Sequence, residues 1–300
     1  MKYRKLIFIL ILLLLLVGCL DKNQQNKEVK VMDKAPDKLS SFTGEINKIL
    51  DNVGKIERIE LDIDLDSEMG DESLEEAQKE SIGEGEQSSA EEGQGGGKNQ
   101  GGGQEGGGGN SQGTHEHGSS TEDKNKEKKV KERWKEIDKS LENGYISWSD
   151  YESEALKKGI SKDRVTELKK SINLLAKAIE DRKIIDVYDY GSQVLLNLKP
   201  FYDLYKDEYR GEVCEIKFRI YQYYIHALNN NKEEALEQVN SIDENLNRIR
   251  LLLSDDKKKL EELDKISSFL ENLGLSLDEN SKRVFMLEKD TTIKKLDHLE

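Results

Sequence analysis

Only two cysteines, Cys19 and Cys214, occur in 300 residues. That scarcity excludes a disulfide framework, so stability has to come from a packed core. With no histidine beside it in sequence, Cys214 reads as a small buried hydrophobe and not as a nucleophile. Surplus positive charge is missing as well. The formal net charge is -14, which repels polyanions over most of the surface. Nucleic acid is therefore excluded as a partner unless a local basic patch overrides the net field. Catalytic signatures are absent too: there is no H-E-x-x-H, no G-x-S-x-G and no Walker motif. His226 and His298 lie far apart near predicted helix ends, and 61 Asp and Glu side chains single out no acid–base pair. The expectation is a protein that is not an enzyme and needs no cofactor.

The one long apolar run falls short of a membrane span. Leu6 to Val17 covers 12 residues, against roughly 20 needed to cross a bilayer core. Lys2, Arg4 and Lys5 ahead of it and Gly18 behind it follow the order of a secretory signal peptide. The stretch Leu16-Val17-Gly18-Cys19 resembles the lipobox of bacterial lipoproteins. That resemblance implies diacylglyceryl transfer to the Cys19 thiol, removal of residues 1–18 and acylation, palmitate included, of the new terminal amine. Each buried CH2 adds about 0.8 kcal/mol, so two or three chains hold far better than one. The implied place is the outer face of the bacterial cytoplasmic membrane, with the membrane itself as a partner through the lipid anchor. Losing Lys2, Arg4 and Lys5 makes the mature chain more acidic still.

Residues 19–37 read as a membrane-proximal tether. In 38–58, Leu39, Phe42, Ile46, Ile49, Val53 and Ile56 recur at steps of three and four and predict an amphipathic helix. Alone in water such a helix is marginal, so it is expected to dock on the distal domain, a partner helix or the membrane. Glu45, Asp51 and Glu57 offset Lys48, Lys55 and Arg58, which disfavours the membrane.

Residues 59–123 read as a disordered linker. Between 60 and 92 there are 14 Asp or Glu against one Lys, and half of the 26 residues from Gly93 to Gly118 are Gly. Neither part has the apolar surface to offset backbone entropy. Roughly 60 residues of such chain span about 40 to 45 Å, so the stretch is expected to act as a leash for the C-terminal domain. Asp62, Asp64 and Asp66 have the spacing of a calcium loop, but Ser67 and Ser73 stand where that loop needs Gly and the bidentate Glu. The alternation Ile59, Leu61, Ile63, Leu65 predicts instead a short strand with an acidic face. His115 and His117 are a weak zinc or nickel candidate, since a Gly-flanked triplet supplies no rigid third ligand.

From 124 to 300 the apolar spacing predicts an all-α domain, an antiparallel helical bundle or stacked α-hairpins. Val130, Trp134, Ile137 and Leu141 form a stripe expected to end at Gly144. Ser149 to Glu152 reads as a capping box for a short helix stopping at Gly159, and Ser161 as the cap of the next. Pro200 is expected to break or kink the helix that begins near Ile185. Ala235 to Leu253 reads as one stripe, and Ser276 to Glu279 as the capping box of the last helix. A faint repeat, AIEDRKIIDVYDY from Ala178 and ALNNNKEEALEQV from Ala227, faintly resembles tetratricopeptide-type pairs without their Trp, Gly and Pro positions.

Eight of the 11 tyrosines lie between Tyr188 and Tyr224. Two expectations compete for them: packing between helices, or a contact surface of rings with polar tips. On the second, Tyr202, Tyr205 and Tyr209 stand exposed at the Pro200 break as a candidate ligand surface, while Tyr223 is core. The general plan resembles lipoproteins of Gram-positive bacteria that carry a tethered helical domain. That resemblance implies a binding or scaffold module whose partner is a protein, peptide or cell-wall glycan. The alternatives are an extracytoplasmic metal or small-solute binding lipoprotein and a cell-wall-directed enzyme.

Overall fold

Apolar side chains recurring every three or four residues bury one face of a helix. The computed structural model describes residues 34–63, 121–206 and 208–299, and there that spacing forms helices throughout. They are α1 (Asp37–Glu60), α2 (Thr121–Lys157), α3 (Lys162–Glu180), α4 (Ile184–Tyr202), α5 (Arg210–Leu228), α6 (Lys232–Asn240), α7 (Asp243–Leu252), α8 (Lys257–Ser276) and α9 (Lys282–Leu299). No strand occurs among the described residues, and the fold is all-α. None of the described helices is long and apolar enough to cross a membrane.

The described residues divide into two compact units, one from those within Gly54–Lys135 and one from those on either side of that range. In the larger unit successive helices pack as hairpins: α4 lies between α3 and α5, and α8 lies along α9. Helix α5 is the hub, meeting α4, α6, α7 and α9, and Val213, Cys214, Ile216, Ile220, Tyr223 and Tyr224 on it are fully buried. Cys214 is buried among them, as expected of a small hydrophobe.

Helix α1 answers the docking question. Its first two-thirds, through Val53, belongs to the same unit as residues 136–300. The Thr43 hydroxyl bonds the Tyr202 hydroxyl at 2.7 Å, the Phe42 ring lies 5.7 Å from Trp148, and Arg210 donates to Ser40 Oγ at 2.6 Å. A Cβ on Gly191 of α4 would fall 2.7 Å from Leu50 Cδ2, so the two helices touch where glycine leaves room. The predicted amphipathic helix is therefore a core element of the distal domain. The leash reading changes with it: the 64–120 stretch joins two helices instead of carrying the domain away from α1.

Several helix ends differ from expectation for local reasons. Gly144 does not stop α2, because it is buried against α1, with Phe42 3.6 Å and Glu45 Cβ 3.7 Å from where a Cβ would be. Ser149 and Glu152 then fall inside α2, and Glu152 pairs with Lys169 at 2.7 Å. Pro200 sits in the last turn of α4 without breaking it; Phe201 and Tyr202 beyond it are helical and buried. The Ala235–Leu253 stripe is interrupted at Ser241–Ile242, giving α6 and α7. Ser276 closes α8, and the last helix is capped by Ser281, whose Oγ accepts from Val284 N–H at 3.5 Å.

Of the strand predicted from Ile59 to Leu65, the described part, 59–63, is the end of α1 and its stop, and Leu65 lies outside the described residues. Ile63 N–H donates to Arg58 O and Asp62 N–H to Ile59 O, with Asp62 at φ 54°. That is a Schellman ending, which needs one left-handed residue. The same ending recurs at Gly159 (φ 103°), Arg182 (φ 55°) and Asn230 (φ 58°). Gly159 carried the plainest signal; Asp62 and Asn230 are of the types that enter this conformation occasionally, while Arg182 adopts it against its steric preference. Helices α1 and α2 also reach Glu60 and Thr121, into stretches assigned to the linker.

Candidate functional site

Tyr202, Tyr205 and Tyr209 do not form a common outward surface. Tyr202 and Tyr205 are buried, at 0% and 4% exposure, and Tyr209 is half-buried. Each hydroxyl is spent on a different helix. Tyr202 meets Thr43 of α1, with Arg210 5.1 Å from its ring centroid. Tyr205 bonds Tyr151 of α2 at 3.1 Å and accepts from Lys158 at 2.9 Å. Tyr209 donates to Leu299 O of α9 at 2.8 Å, and Lys259 of α8 donates to the same carbonyl at 3.2 Å. The expectation of exposed rings is overturned because a tight turn after α4 brings three chain-distant helices within reach of three successive phenols. Burial, with the Tyr205 bond adding to it, pushes the Tyr151 phenol far up. Burial alone would lower the Lys158 ammonium, but its bonds to Glu154 and Tyr205 prevail and raise it.

Tyr223 is core, as expected: it is fully buried and its hydroxyl meets Ser276 Oγ at 2.6 Å. Burial pushes its phenol up to about 12. Tyr188, Tyr221 and Tyr224 surround Lys289, whose ammonium lies 4.3, 5.7 and 4.8 Å from their ring centroids. Lys289 is 1% exposed, donates to Tyr188 Oη at 3.0 Å and pairs with Asp290 at 2.8 Å. Cation–π attraction strengthens where water is excluded, which lets a lysine serve as a core residue between α4, α5 and α9. No spacing rule marks Lys289 in the sequence.

A group of ionisable residues forms a seam on α4, α5 and α7. Lys199 contacts Glu212 and lies 3.6 Å from Glu215. Asn245 donates to both carboxylates, at 2.6 and 2.9 Å, while Arg248 reaches Glu212 at 3.3 Å and Arg219 reaches Glu215 at 3.0 Å. Burial would raise Glu215, yet the bonds from Asn245 and Arg219 and the Lys199 charge hold its carboxyl below the usual range. Asp203 at the rim behaves oppositely. Protein atoms crowd its carboxyl and push it up, with Glu212 adding to the effect and Lys199 opposing it. Because each buried carboxylate already has cationic partners, the seam acts as a polar lock between helices.

Asp62, the described member of the calcium candidate, is exposed and paired with Lys126. Asp64, Asp66, His115, His117 and the lipidation candidate Cys19 lie outside the described residues. Among the described residues no group of three or more His, Cys, Asp or Glu is placed to hold a metal ion.

No family model, curated protein or solved structure matches this chain. The functional reading therefore rests on its own residues.

Proposed function

We propose that this protein is a membrane-anchored surface lipoprotein whose helical domain serves as a binding or scaffold module outside the cytoplasmic membrane. The observation that carries the reading is the run Leu16-Val17-Gly18-Cys19 behind a short apolar segment and three cations. The fold adds a constraint on reach. With α1 built into the domain, residues 19–36 are all that separates Cys19 from folded helix. Eighteen residues span at most about 60 to 65 Å when fully extended. The module is thus held close to the bilayer, as suits a partner that is itself at the surface: a membrane protein, a peptide or wall glycan.

Cys19→Ala tests the anchor in the intact chain. The parent is expected to incorporate a labelled fatty acid and to be cut before residue 19, and the variant to do neither. Unchanged cleavage and membrane retention in the variant would sink the proposal. The binding role is tested by crosslinking the full chain to its neighbours on intact cells. Recurrent capture of one partner supports it, whereas turnover of wall fragments by the purified chain would favour the enzymatic alternative.

A further inference from the structure

The chain is acidic overall, yet one described surface is not. In α2, Lys124, Lys128, Lys131 and Lys135 follow at steps of four, three and four, which puts them in one stripe. All four are exposed, while Val130, Arg133 and Trp134 on the other side are half-buried. Glu127 and Glu132 border the stripe, and Lys128 approaches Glu132 at 4.0 Å. Along three helical turns four ammonium groups therefore project outward with two carboxylates at the margins.

The chain's own acidic segment starts beside this stripe. Between residues 64 and 92 there are 12 Asp and Glu against a single Lys, Lys79. Immediately before it, Asp62 is ion-paired with Lys126, on the inner side of the first turns of α2. The 64–120 stretch ends where α2 begins, so it leaves from and returns to the end of α2 that bears the lysines. Half the circumference of a helix about 10–12 Å across takes about six extended residues, far fewer than the segment contains. Tethering at both ends sets the local concentration of these carboxylates in about the millimolar range, above that of an external polyanion.

We propose that the stripe Lys124, Lys128, Lys131 and Lys135 is the docking surface of residues 64–92 of the same chain, held there by charge. Docking neutralises a basic face of an acidic protein and keeps it from anionic surfaces.

Carbodiimide coupling of lysines to carboxylates in the full chain, held in neutral detergent, tests the proposal. The expected products are intrachain links from the four lysines to Asp and Glu within 64–92. They form in higher yield than links to Lys257 or Lys258, which are also exposed, and the yield does not change on dilution. It falls as screening shortens from about 10 Å at 0.1 M salt to about 3 Å at 1 M. Independently, a glutamate-specific protease is expected to cut within 64–92 several-fold faster at low salt once the four lysines are replaced by Gln, with helical content unchanged. Links spread evenly over Lys257 and Lys258, links chiefly between chains, or equal cutting of parent and variant would overturn the proposal. So would protection of the four lysines by phosphatidylglycerol vesicles in a chain that shows no such links beforehand, which would assign the stripe to a membrane.

Discussion

The turn after α4 and the first turns of α2 look alike in sequence, each a short stretch dense in side chains that suit a binding surface. Their fates are opposite. Tyr202, Tyr205 and Tyr209 turn inward and tie α1, α2 and α9 to one turn, whereas Lys124, Lys128, Lys131 and Lys135 face water. A phenol has an apolar body that favours burial once its hydroxyl finds a partner. An ammonium on a flexible stem keeps its hydration unless a cage such as that of Lys289 replaces it. Enrichment in a residue type therefore marks a place of consequence without saying whether the fold consumes it.

The strongest way to break the comparison is to take away what the tyrosines hold. Deleting residues 34–60 removes Leu39, Phe42, Ile46, Ile49, Leu50 and Val53 from the core. At about 1.5 to 3 kcal/mol each the loss is about 10 kcal/mol or more, comparable to the whole stability of a domain. Thermal unfolding followed by circular dichroism is expected to lose its cooperative transition. Retention of a sharp transition would mean α1 is dispensable.

Next in size, Tyr202→Ala and Tyr223→Ala are each expected to cost about 3 to 5 kcal/mol in denaturant unfolding. Tyr202→Phe keeps the ring and loses only the Thr43 bond, for about 1 kcal/mol. Near-equal effects of the Ala and Phe variants would place the value of Tyr202 in its hydroxyl. Gly191→Ala is expected to cost about 1 to 3 kcal/mol, since the new methyl forces Leu50 aside at the α1–α4 contact.

The ion-paired seam offers a test by sign. The Asp203 carboxyl is raised in the fold, so the native state binds its proton more tightly than the unfolded chain, and stability falls as pH climbs through the carboxylate range. Asp203→Asn is thus expected to stabilise at neutral pH and to make no difference in acid. Glu215 is lowered, so its contribution is present at neutral pH and disappears as pH falls through its native value. Glu215→Gln is expected to destabilise at pH 7 and to converge on the parent in acid. Urea midpoints across pH check both, and parallel shifts would show that the two carboxyls do not sense the seam as described.

The smallest expected effect belongs to the other member of the comparison. Replacing Lys124, Lys128, Lys131 and Lys135 by Gln is expected to move stability by no more than about 0.5 kcal/mol per site, because exposed charges contribute little. A larger loss in the unfolding midpoint would mean the stripe is part of the fold.

Helix content was legible because burial imposes a period of 3.6 residues on every amphipathic segment, and the stripes through Leu39–Ile56, Val165–Ile179 and Val213–Ala227 all became helices. Ser161 was legible as a cap because its hydroxyl satisfies a nearby amide, that of Arg164. Gly144 and Pro200 misled because the usual reading of a breaker assumes an isolated helix. Packing of α1 over Gly144 and burial of Phe201 and Tyr202 outweigh the local cost. The tyrosine turn and the seam were not legible, since partners such as Thr43 and Tyr202 lie 159 residues apart.

By itself, the order of residues determined what depends on composition and near neighbours: apolar period, helix class, too few cysteines for a disulfide framework, the acidic charge and the lipobox resemblance. Tertiary structure alone decided what depends on meetings across the chain. It made α1 part of the core, turned three tyrosines inward, wrapped a lysine in aromatic rings and left four others in water. The reason is physical: a local pattern reports the preferences of a single helix, while burial is conferred by whichever distant segment covers it.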